Sequence, residues 1–595
     1  MEKPKDSLAD FSTDTRVLLL ALMALVIGAM STVVAYALVW LIAAITNLAF
    51  FHRFSGAPAS PADHHLGLWV IAVPMVGALV IGFMARYGSS KIRGHGIPEA
   101  LEAILLGRSR IEPKVAVLKP LSSAISIGTG GPFGAEGPII MTGGALGSLF
   151  AQLFDLSSNE RKTLLVAGAA AGMSAIFATP VAAVLLAVEL LLFEWKPRSF
   201  IPVAVAAIVA SALRPWFLGT GPIFAITQHA PLGPAAYLCA AAVGIAAGLG
   251  SSLLTILVYA VEDLFERFSI HWMWWPVIGA AFVGLGGYFD PRVLGVGYDV
   301  IHGLLRGDLL GAVLIGFLLI KAFVWSVALG SGTSGGVLAP LLMMGGILGA
   351  LVAPLLPAGD SSLWALVGMA AIMGGTMRAP LTAMIFALET TNDLNALPAL
   401  LIGSVAALGV TVLLMRRSIL TEKIARRGHH ISREYTVDHF ELLRVRDAMD
   451  EEAQIVPAET TVGELADRIA QNDPSVTRRQ GVLIVDAAGE LAGIITRGDV
   501  VRALQNSGAE QKVLSAGKAD VIVTYPNEPL REVIAKMLQH HIGRLPVVDP
   551  ANPRKILGYL GRANIVSARR RQHEEEHSRE PGLFARTRTP AVNHA

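Results

Sequence analysis

The sequence predicts an α-helical polytopic membrane protein built on an inverted-topology repeat and followed by an α/β tail. Three observations predict this class. Apolar residues make up 53% of the 595 residues and charged residues only 16%, and the mean hydropathy is +0.56, as in membrane proteins. The apolar part contains two similar halves about 200 residues apart. Hydropathy falls after residue 415, where shorter strand-like and helix-like segments begin.

Apolar stretches long enough to span a bilayer recur through the first 415 residues. The runs at 17–50 and 66–85 are two examples, and each suffices for a hydrocarbon core of ~30 Å. Residues 1–14 mix acids and bases, and the apolar run behind them is too long for a signal peptide. We therefore expect an N-terminal cytoplasmic segment at 1–14, no cleaved leader, and a membrane domain at 15–428.

The membrane domain is internally duplicated. Two pairs of segments repeat with nearly constant offsets of 202 and 200 residues: 130–151 with 330–353, and 168–189 with 368–389. The first offset aligns Pro138 with Pro340, and the second aligns Glu189 with Glu389. Two independent matches at nearly the same offset predict one structural unit present twice.

Charges predict that the two copies have opposite orientations. The second hairpin is flanked by Asp360 and Asp393 and carries Arg378 in its turn. The first hairpin has no base in its turn and is flanked by four: Arg161, Lys162, Lys196 and Arg198. Under the positive-inside rule, repeats at about 15–217 and 233–415 therefore insert in opposite directions. This architecture is typical of transporters, whose ion site lies near the midplane where broken helices meet.

The tail is predicted to be cytoplasmic, because the segment at 415–435 is basic. Its two α/β units resemble each other, with Asp486 aligned to Asp549 and Gly493 to Gly558. We expect four segments: a linker at 429–445, α/β units at 446–505 and 512–570, and a polar, disordered end at 571–595.

Composition also excludes several functions. The net charge of +2, with no strongly basic domain, argues against a nucleic-acid partner. One cysteine, Cys239, permits neither an internal disulfide nor a cysteine metal cluster. We find no nucleophile with a base, no metal-ligand cluster and no Walker loop. The sequence therefore predicts no enzyme, no metal and no required cofactor.

Three glycine-rich turns predict helix N-termini inside the membrane. They read "GHGIPEA" at 94–100, "GAEGP" at 134–138 and "GGVLAP" at 335–340. Glycine permits the bend, and proline suits the first helical turn. A helix N-terminus presents free N–H groups and about half a positive charge, so converging N-termini would hold a small anion without a basic side chain. Such binding is weak enough for conduction.

Glu136 lies in the middle of the second turn. A carboxylate there is a tethered anion, so it could occupy the site and then leave or become protonated, which would make it a gate. The alternative is a helix-capping acid that faces the lipid headgroups. Ionisable groups in membrane segments are costly and usually functional, which favours the gate.

The ordered motifs "GHGIPEA", "GAEGPIIMTGGALGS", "GSGTSGGVLAPLL" and "SILTEKIARRG" resemble the signature segments of the chloride channel (CLC) family of anion channels and anion/proton antiporters. The tail resembles a pair of cystathionine-beta-synthase (CBS) domains. The resemblance implies a homodimer in the plasma or inner membrane that transports chloride, with Glu136 as its gate. It places the anion ligands at eight residues: His95, Gly96, Ile97, Ala135, Gly137, Val337, Leu338 and Leu420.

Five positions depart from the family pattern. His95 replaces a serine, and its imidazole either donates to the anion or turns away to a carbonyl. Leu420 replaces the central tyrosine, which predicts an apolar or wider constriction. Leu338 replaces an aromatic residue, and Ala135 an arginine. Leu190 replaces the proton-accepting glutamate of the antiporters, so proton coupling by the usual route is not expected.

Neighbouring acids are not expected to replace the missing one. Successive helical residues point about 100° apart, so Glu189 faces away from the direction of Leu190 and has a structural role at a hairpin end. Nothing in the sequence distinguishes Glu194. The favoured function is therefore a gated chloride channel. Chloride/proton exchange by another route, transport of bicarbonate, nitrate or fluoride, and a sensor anchored by its membrane part are the alternatives.

In the first CBS unit, Thr496 and Asp499 stand where a strand gives way to a helix. A hydroxyl and an acid three residues apart can bind the phosphate and ribose of an adenine nucleotide, as the resemblance implies. Helix capping favours the same residue types without a ligand. The second unit has Gly561 and Asn564 at the corresponding positions, so no second site of this type is expected.

Overall fold

The computed structural model describes residues 15–105, 107–428 and 443–577, and the side chains of all of these up to residue 571. The chain divides into two compact units with their boundary between Gly428 and His429. The predicted segment 1–14, nearly all of the linker and the end of the tail lie outside the described residues.

The described part of the first unit is helical. Its α-helices are α1 (Arg16–Phe51), α2 (Ala72–Phe83), α3 (Ile97–Leu105), α4 (Pro113–Gly128), α5 (Glu136–Ala151), α6 (Ser158–Phe177), α7 (Pro180–Leu186), α8 (Pro197–Leu213), α9 (Pro234–Glu266), α10 (Trp275–Phe289), α11 (Tyr298–Arg306), α12 (Val313–Gly330), α13 (Leu338–Val352), α14 (Ser361–Met377), α15 (Pro380–Thr391), α16 (Leu397–Leu414) and α17 (Ile419–Arg426). A π-helical turn, Ala187–Leu192, continues α7.

Within the described residues, seven helical segments are long and apolar enough to cross a membrane. The 36 residues of α1 would extend about 54 Å at 1.5 Å per residue, more than a bilayer core is thick, so α1 must tilt or protrude. Other helices, such as α3 and α11, are too short to span. Long spans mixed with short helices confirm the expected polytopic architecture with broken helices.

The two halves pack in the same way around glycine contacts. A Cβ built on Gly168 of α6 would lie 2.1 Å from the carbonyl oxygen of Gly143 on α5, and one on Gly368 of α14 would lie 2.2 Å from that of Gly345 on α13. Small residues let membrane helices approach closely, and here both copies use them at aligned positions. The predicted repeat is confirmed by this packing.

Glu189 and Glu389 hold the two halves together. Glu189 accepts hydrogen bonds from the amide and hydroxyl of Thr382 at the start of α15, at 2.8 and 2.6 Å. Glu389 accepts from the amides of Val181 and Ala182 at the start of α7, at 3.0 and 2.8 Å. Each acid therefore caps a helix of the other half. The predicted structural role of this pair is confirmed.

The second unit consists of two α/β subdomains. Its helices are α18 (Val445–Ala448), α19 (Val462–Ala470), α20 (Pro474–Thr477), α21 (Arg497–Asn506), α22 (Val513–Ala516), α23 (Leu530–Gln539) and α24 (Arg562–His577), and its strands are β1 (Ile455–Pro457), β2 (Gly481–Val485), β3 (Leu491–Thr496), β4 (Arg544–Asp549) and β5 (Asn552–Gly561). Strand β2 pairs parallel with β1 and antiparallel with β3, and β4 pairs antiparallel with β5.

Each subdomain buries its own core, and the two sheets also pack on each other. Leu483 and Ile494 of the first sheet share one buried cluster with Val548 and Tyr559 of the second. Helix α24 extends through His577. It therefore continues past residue 571, where the sequence predicts the polar end to begin. The rest of that segment lies outside the described residues.

Candidate anion-binding site

The three glycine-rich turns come together in the first unit, as the sequence predicted. Gly134 and Gly336 exchange backbone hydrogen bonds, with N···O distances of 3.2 and 2.9 Å. The amide of Gly94 donates to the carbonyl of Thr333 at 3.1 Å, and the amide of Gly335 donates to the carbonyl of Gly94 at 3.4 Å. The turns that precede α3, α5 and α13 therefore form one cluster.

This crossing has no space for side chains. A Cβ on Gly137 would lie 2.1 Å from the carbonyl oxygen of His95, and a Cβ on Gly336 would lie 2.5 Å from that of Gly134. Gly96 has a φ of +91°, which other residues rarely adopt. Glycine is therefore required for the helix N-termini to approach each other.

A buried lysine, which sequence reasoning missed, supports the crossing. The ammonium of Lys119 on α4 donates to the carbonyls of Ile92 and Gly94 and to the hydroxyl of Ser334, at 2.8, 2.6 and 3.1 Å. It thus ties the turn before α3 to the turn before α13. Lys321 on α12 aligns with Lys119 in the internal repeat. It is also fully buried and donates to the carbonyl of Val293 at 2.7 Å.

The carboxylate of Glu136 occupies the N-terminus of α13. Its Oε1 accepts a hydrogen bond from the amide of Ala339 at 2.7 Å, and its side chain is fully buried. Its Oε2 is buried without a hydrogen-bond partner among the described residues. The acid does not face lipid headgroups, as the capping alternative required. It lies where the free amides of a helix would hold an anion.

The other proposed ligands are buried around this position. Each has a relative exposure of 4% or less: His95, Ile97, Ala135, Val337, Leu338 and Leu420. The Nδ1 atom of His95 is buried and has no hydrogen-bond partner in the described structure, so it is not satisfied by a carbonyl. Beside Leu420, the hydroxyl of Tyr259 donates to the carbonyl of Ile419 at 2.6 Å. An aromatic hydroxyl is thus present near the position of the missing tyrosine, but it is already engaged.

Two cavities are each lined in part by a proposed anion ligand, His95 in one and Ala135 in the other. The first, here called the basic cavity, has a volume of about 820 Å³ and is lined by His95, Arg93, Lys423 and Arg427 among others. Within it, the carboxylate of Glu99 pairs with the ammonium of Lys423 at 2.9 Å and with the guanidinium of Arg427 at 3.3 Å. The complete lining contains six lysine and arginine side chains and five glutamates, so cations outnumber carboxylates by one.

The second cavity, here called the Tyr298 cavity, has a volume of about 440 Å³. Ala135, Arg214, Tyr298 and Asp299 belong to its lining. Ala135 directly precedes Glu136, whereas Gly137 directly follows it and contacts His95 of the basic cavity. One chain neighbour of Glu136 thus lines the Tyr298 cavity, and the other packs against a residue of the basic cavity.

The position of the missing proton acceptor is apolar. Leu190 is fully buried, and both carboxylate oxygens of Glu189 accept hydrogen bonds from α15. Burial opposes the charge of Glu194, but Lys162, the Ser199 hydroxyl and Arg198 outweigh it and lower its pKa to about 2. These neighbours therefore favour the ionised form of Glu194.

In the second unit, Thr496 and Asp499 cap α21. The Thr496 hydroxyl donates to a carboxylate oxygen of Asp499 at 2.6 Å and accepts from the Asp499 amide at 3.3 Å. Burial raises the pKa of Asp499, but the bonds from Thr496 and Arg502 outweigh it, so the pKa lies below its usual value. In the second copy, Asn564 accepts from the amide of Gly561 at 3.0 Å. Both positions therefore have the geometry of helix caps.

The chain is similar to known membrane transport proteins and to a known regulatory domain. Residues 76–412 match the family described as voltage gated chloride channel, and residues 445–506 and 517–571 match the CBS domain. The H(+)/Cl(-) exchange transporters ClcA of Salmonella arizonae and Salmonella paratyphi B are each 30% identical over 418 residues, which cover 67% of this chain and 86% of theirs.

Solved structures share the fold at low sequence identity. A slow cyanobacterial Cl-/H+ antiporter has a TM-score of 0.63 and 21% identity, with 70% of this chain and 99% of that chain covered. A eukaryotic CLC transporter has a TM-score of 0.60 and 19% identity, with 92% of this chain and 98% of that chain covered. The family comprises channels and transporters rather than enzymes. The predicted fold is confirmed, and the chain belongs to the chloride channel (CLC) family of anion transport proteins and carries a CBS pair.

Proposed function

We propose that this protein is a chloride channel whose gate is the carboxylate of Glu136. The observation that carries the proposal is the position of this carboxylate, which binds the amide of Ala339 at the N-terminus of α13. Chloride and a carboxylate compete for the same N–H donors, so chloride would enter the site when the side chain leaves.

The proposed ligands around the gate are backbone amides and small or apolar side chains. They are His95, Gly96, Ile97, Ala135, Gly137, Val337, Leu338 and Leu420. The net positive lining of the basic cavity would attract chloride toward His95. Binding through backbone dipoles, with no lysine or arginine in direct contact, would let the anion leave again.

Passive conduction is favoured over proton exchange because the position that corresponds to the antiporters' inner acid is occupied by Leu190. Leu190 carries no proton, Glu189 caps α15 with both oxygens, and the cationic neighbours of Glu194 favour its ionised form. Exchange remains the second candidate, because the Salmonella relatives are named exchange transporters. It would require a proton route unlike that of the antiporters.

One experiment separates the two candidates. The full chain is reconstituted in vesicles with a chloride gradient, and external chloride and pH are recorded together. We expect chloride flux without proton movement, and we expect Glu194→Gln, a control that removes an acid whose ionised form is favoured, to behave as the wild type. Uphill proton movement that disappears in Glu136→Ala would show that the protein is an exchanger and would contradict the channel proposal.

The anion itself is tested at His95. A neutral imidazole donates one hydrogen bond, as the serine of the family pattern does, but its ring is bulkier. We expect His95→Ser to change the order of permeation among chloride, nitrate, bicarbonate and fluoride. An unchanged order, together with unchanged pH dependence, would remove His95 from the set of ligands.

We also propose that the protein is a homodimer in the plasma or inner membrane, with its CBS pair in the cytoplasm. The basic segment at 415–435 supports this orientation. Chemical cross-linking of intact vesicles tests the dimer, and protease access to the tail tests its side of the membrane. A monomer, or a tail exposed outside sealed cells, would contradict the respective part.

An adenine nucleotide is the ligand to test at Thr496 and Asp499. A bound ribose would have to replace the bonds that Asp499 makes to Thr496 and Arg502. Titration of the purified full chain with ATP, compared with Asp499→Asn, measures this directly. Binding that weakens in the variant supports a regulatory site, whereas no binding by the wild type leaves helix capping as the role of both residues.

A further inference from the structure

The hydroxyl of Tyr298 is a donor without an acceptor. Its oxygen is buried in the wall of the Tyr298 cavity and has no hydrogen-bond partner among the described residues. Other polar groups of this cavity are engaged. Asp299 accepts from the hydroxyl of Ser60 at 3.1 Å, and the guanidinium of Arg214 donates to the carbonyl of Ala175 at 3.1 Å. Tyr298 therefore has a donor available for a group that arrives in the cavity.

The group that can arrive is close by. Ala135, the residue before Glu136, lines the same cavity as Tyr298, and Gly297, the residue before Tyr298, lies against Met343, about one helical turn beyond Ala339 on α13. The Oε2 of Glu136 is buried and unpartnered, while its Oε1 is held by Ala339. A buried donor and a buried acceptor, each unsatisfied, thus lie near each other without bonding. Buried polar groups without partners are unfavourable and uncommon, so a pair of them requires an explanation.

The ring of Tyr298 is held in place by its neighbours. It packs edge to face on the ring of Phe224, with centroids 5.5 Å apart. The amide of Phe224 donates to the carbonyl of Thr390 at 2.8 Å, which fixes this neighbour to α15. Since the tyrosine hydroxyl lies in the plane of the ring, the position of the donor is fixed as well.

The internal repeat gives a second, independent reason to regard this position as functional. Helix α11 is the counterpart of α3: both have nine residues and begin after a glycine with positive φ, Gly297 and Gly96. Gly96 packs on Met141 of α5, and Gly297 packs on Met343, the aligned residue of α13. The start of α3 lies at the candidate anion site. The start of α11 presents Tyr298 to the cavity that Ala135 also lines.

We propose that Tyr298 holds the gate open by donating a hydrogen bond to the carboxylate of Glu136 after that carboxylate has left the N-terminus of α13. Tyr298 is then a positioning residue that acts through Glu136. This inference rests on the proposed gating function. It adds a defined open position for the carboxylate, so that an N–H···O bond to Ala339 is exchanged for an O–H···O bond to Tyr298.

The test is a double-mutant comparison of chloride flux in vesicles containing the full chain. Tyr298→Phe keeps the ring and removes the donor, and we expect flux to fall about 10-fold, the usual scale of a hydrogen bond to a charged group. Tyr298→His restores a donor and should recover part of the loss. Tyr288→Phe, the same chemical change on exposed α10, should have no effect.

In the Glu136→Ala background, Tyr298→Phe should change nothing, because its partner is absent. An equal loss of flux in that background would show that the hydroxyl acts on the anion itself and would overturn the inference. Wild-type flux in Tyr298→Phe alone would also overturn it. If Glu136→Ala itself leaves flux and its pH dependence unchanged, the gating function fails. If Glu136→Ala raises flux while Tyr298→Phe does nothing, only this inference fails.

Discussion

The N-termini of α5 and α13 meet across the paired backbone of Gly134 and Gly336, yet the first half carries Glu136 where the second half carries Leu338. Other aligned pairs agree. Lys119 and Lys321 are both buried lysines that donate to carbonyls, and two aligned glutamates cap each other's helices. The matched pairs build the framework. The mismatched pair, Glu136 and Leu338, lies where the anion would pass and accounts for the proposed gate.

The largest expected effect is a loss of stability on replacing the buried lysines. The loss should differ between Lys119 and Lys321, because they donate different numbers of hydrogen bonds. Lys119→Met removes three hydrogen bonds, to two carbonyls and one hydroxyl, whereas Lys321→Met removes one, to a carbonyl. At about 1 kcal/mol for each lost hydrogen bond, we expect a loss of stability of about 3 kcal/mol for the first variant and about 1 kcal/mol for the second. Thermal unfolding in detergent measures both. Equal losses of stability would show that the aligned lysines contribute equally to the fold.

The glycine crossing should be the next most sensitive feature. Gly336→Ala places a Cβ 2.5 Å from the Gly134 carbonyl, and backbone cannot move aside as a side chain does. We expect a loss of about 1–3 kcal/mol, seen in thermal unfolding, and a loss of chloride flux. Gly316→Ala on α12 is the control, because nothing lies within 4 Å of its added Cβ. A variant at Gly336 that keeps wild-type stability and flux would refute the close crossing.

Truncation of Glu136 and of its aligned residue Leu338 tests whether only one half carries a gate. Glu136→Ala frees the amide of Ala339 for the anion, and we expect chloride flux to rise about 10-fold, as a hydrogen bond to a charged acceptor is lost. Leu338→Ala makes the aligned truncation in the other half and should not raise flux. Efflux from vesicles, followed with a chloride electrode, measures both variants. A similar rise in both would mean that the site opens by loss of bulk and has no specific gate.

The smallest expected effect tests the matched glutamates. Glu189→Gln and Glu389→Gln each keep the shape of a helix cap and remove its charge, and each should cost about 1 kcal/mol. Because the two caps are reciprocal, the two costs should be similar, and flux without proton movement should persist in both variants. Thermal unfolding checks the costs. Loss of proton movement in Glu189→Gln alone would assign Glu189 to a proton route.

The sequence predicted those parts of the site that depend on backbone pattern. The glycine-proline turns identified the starts of α3, α5 and α13, and the alignment of Glu189 with Glu389 at the hairpin ends identified the pair that caps helices. Lys119 could have been found as well, because it stands in an apolar helix at the same 202-residue offset from Lys321 as the signature glycines. Tyr298 could not, because its importance depends on which helices meet beside Glu136.

The reciprocal caps have a consequence for the origin of the molecule. Half of the membrane unit, taken alone, would leave the amides at the start of α7 without Glu389 and would leave Gly134 without its backbone partner. Two copies of such a half, inserted in opposite directions, would supply each other with both. The present chain has the geometry of an ancestral antiparallel pair joined by gene fusion. Joining the copies freed one of two identical positions to change, so that a single acid could remain at the centre.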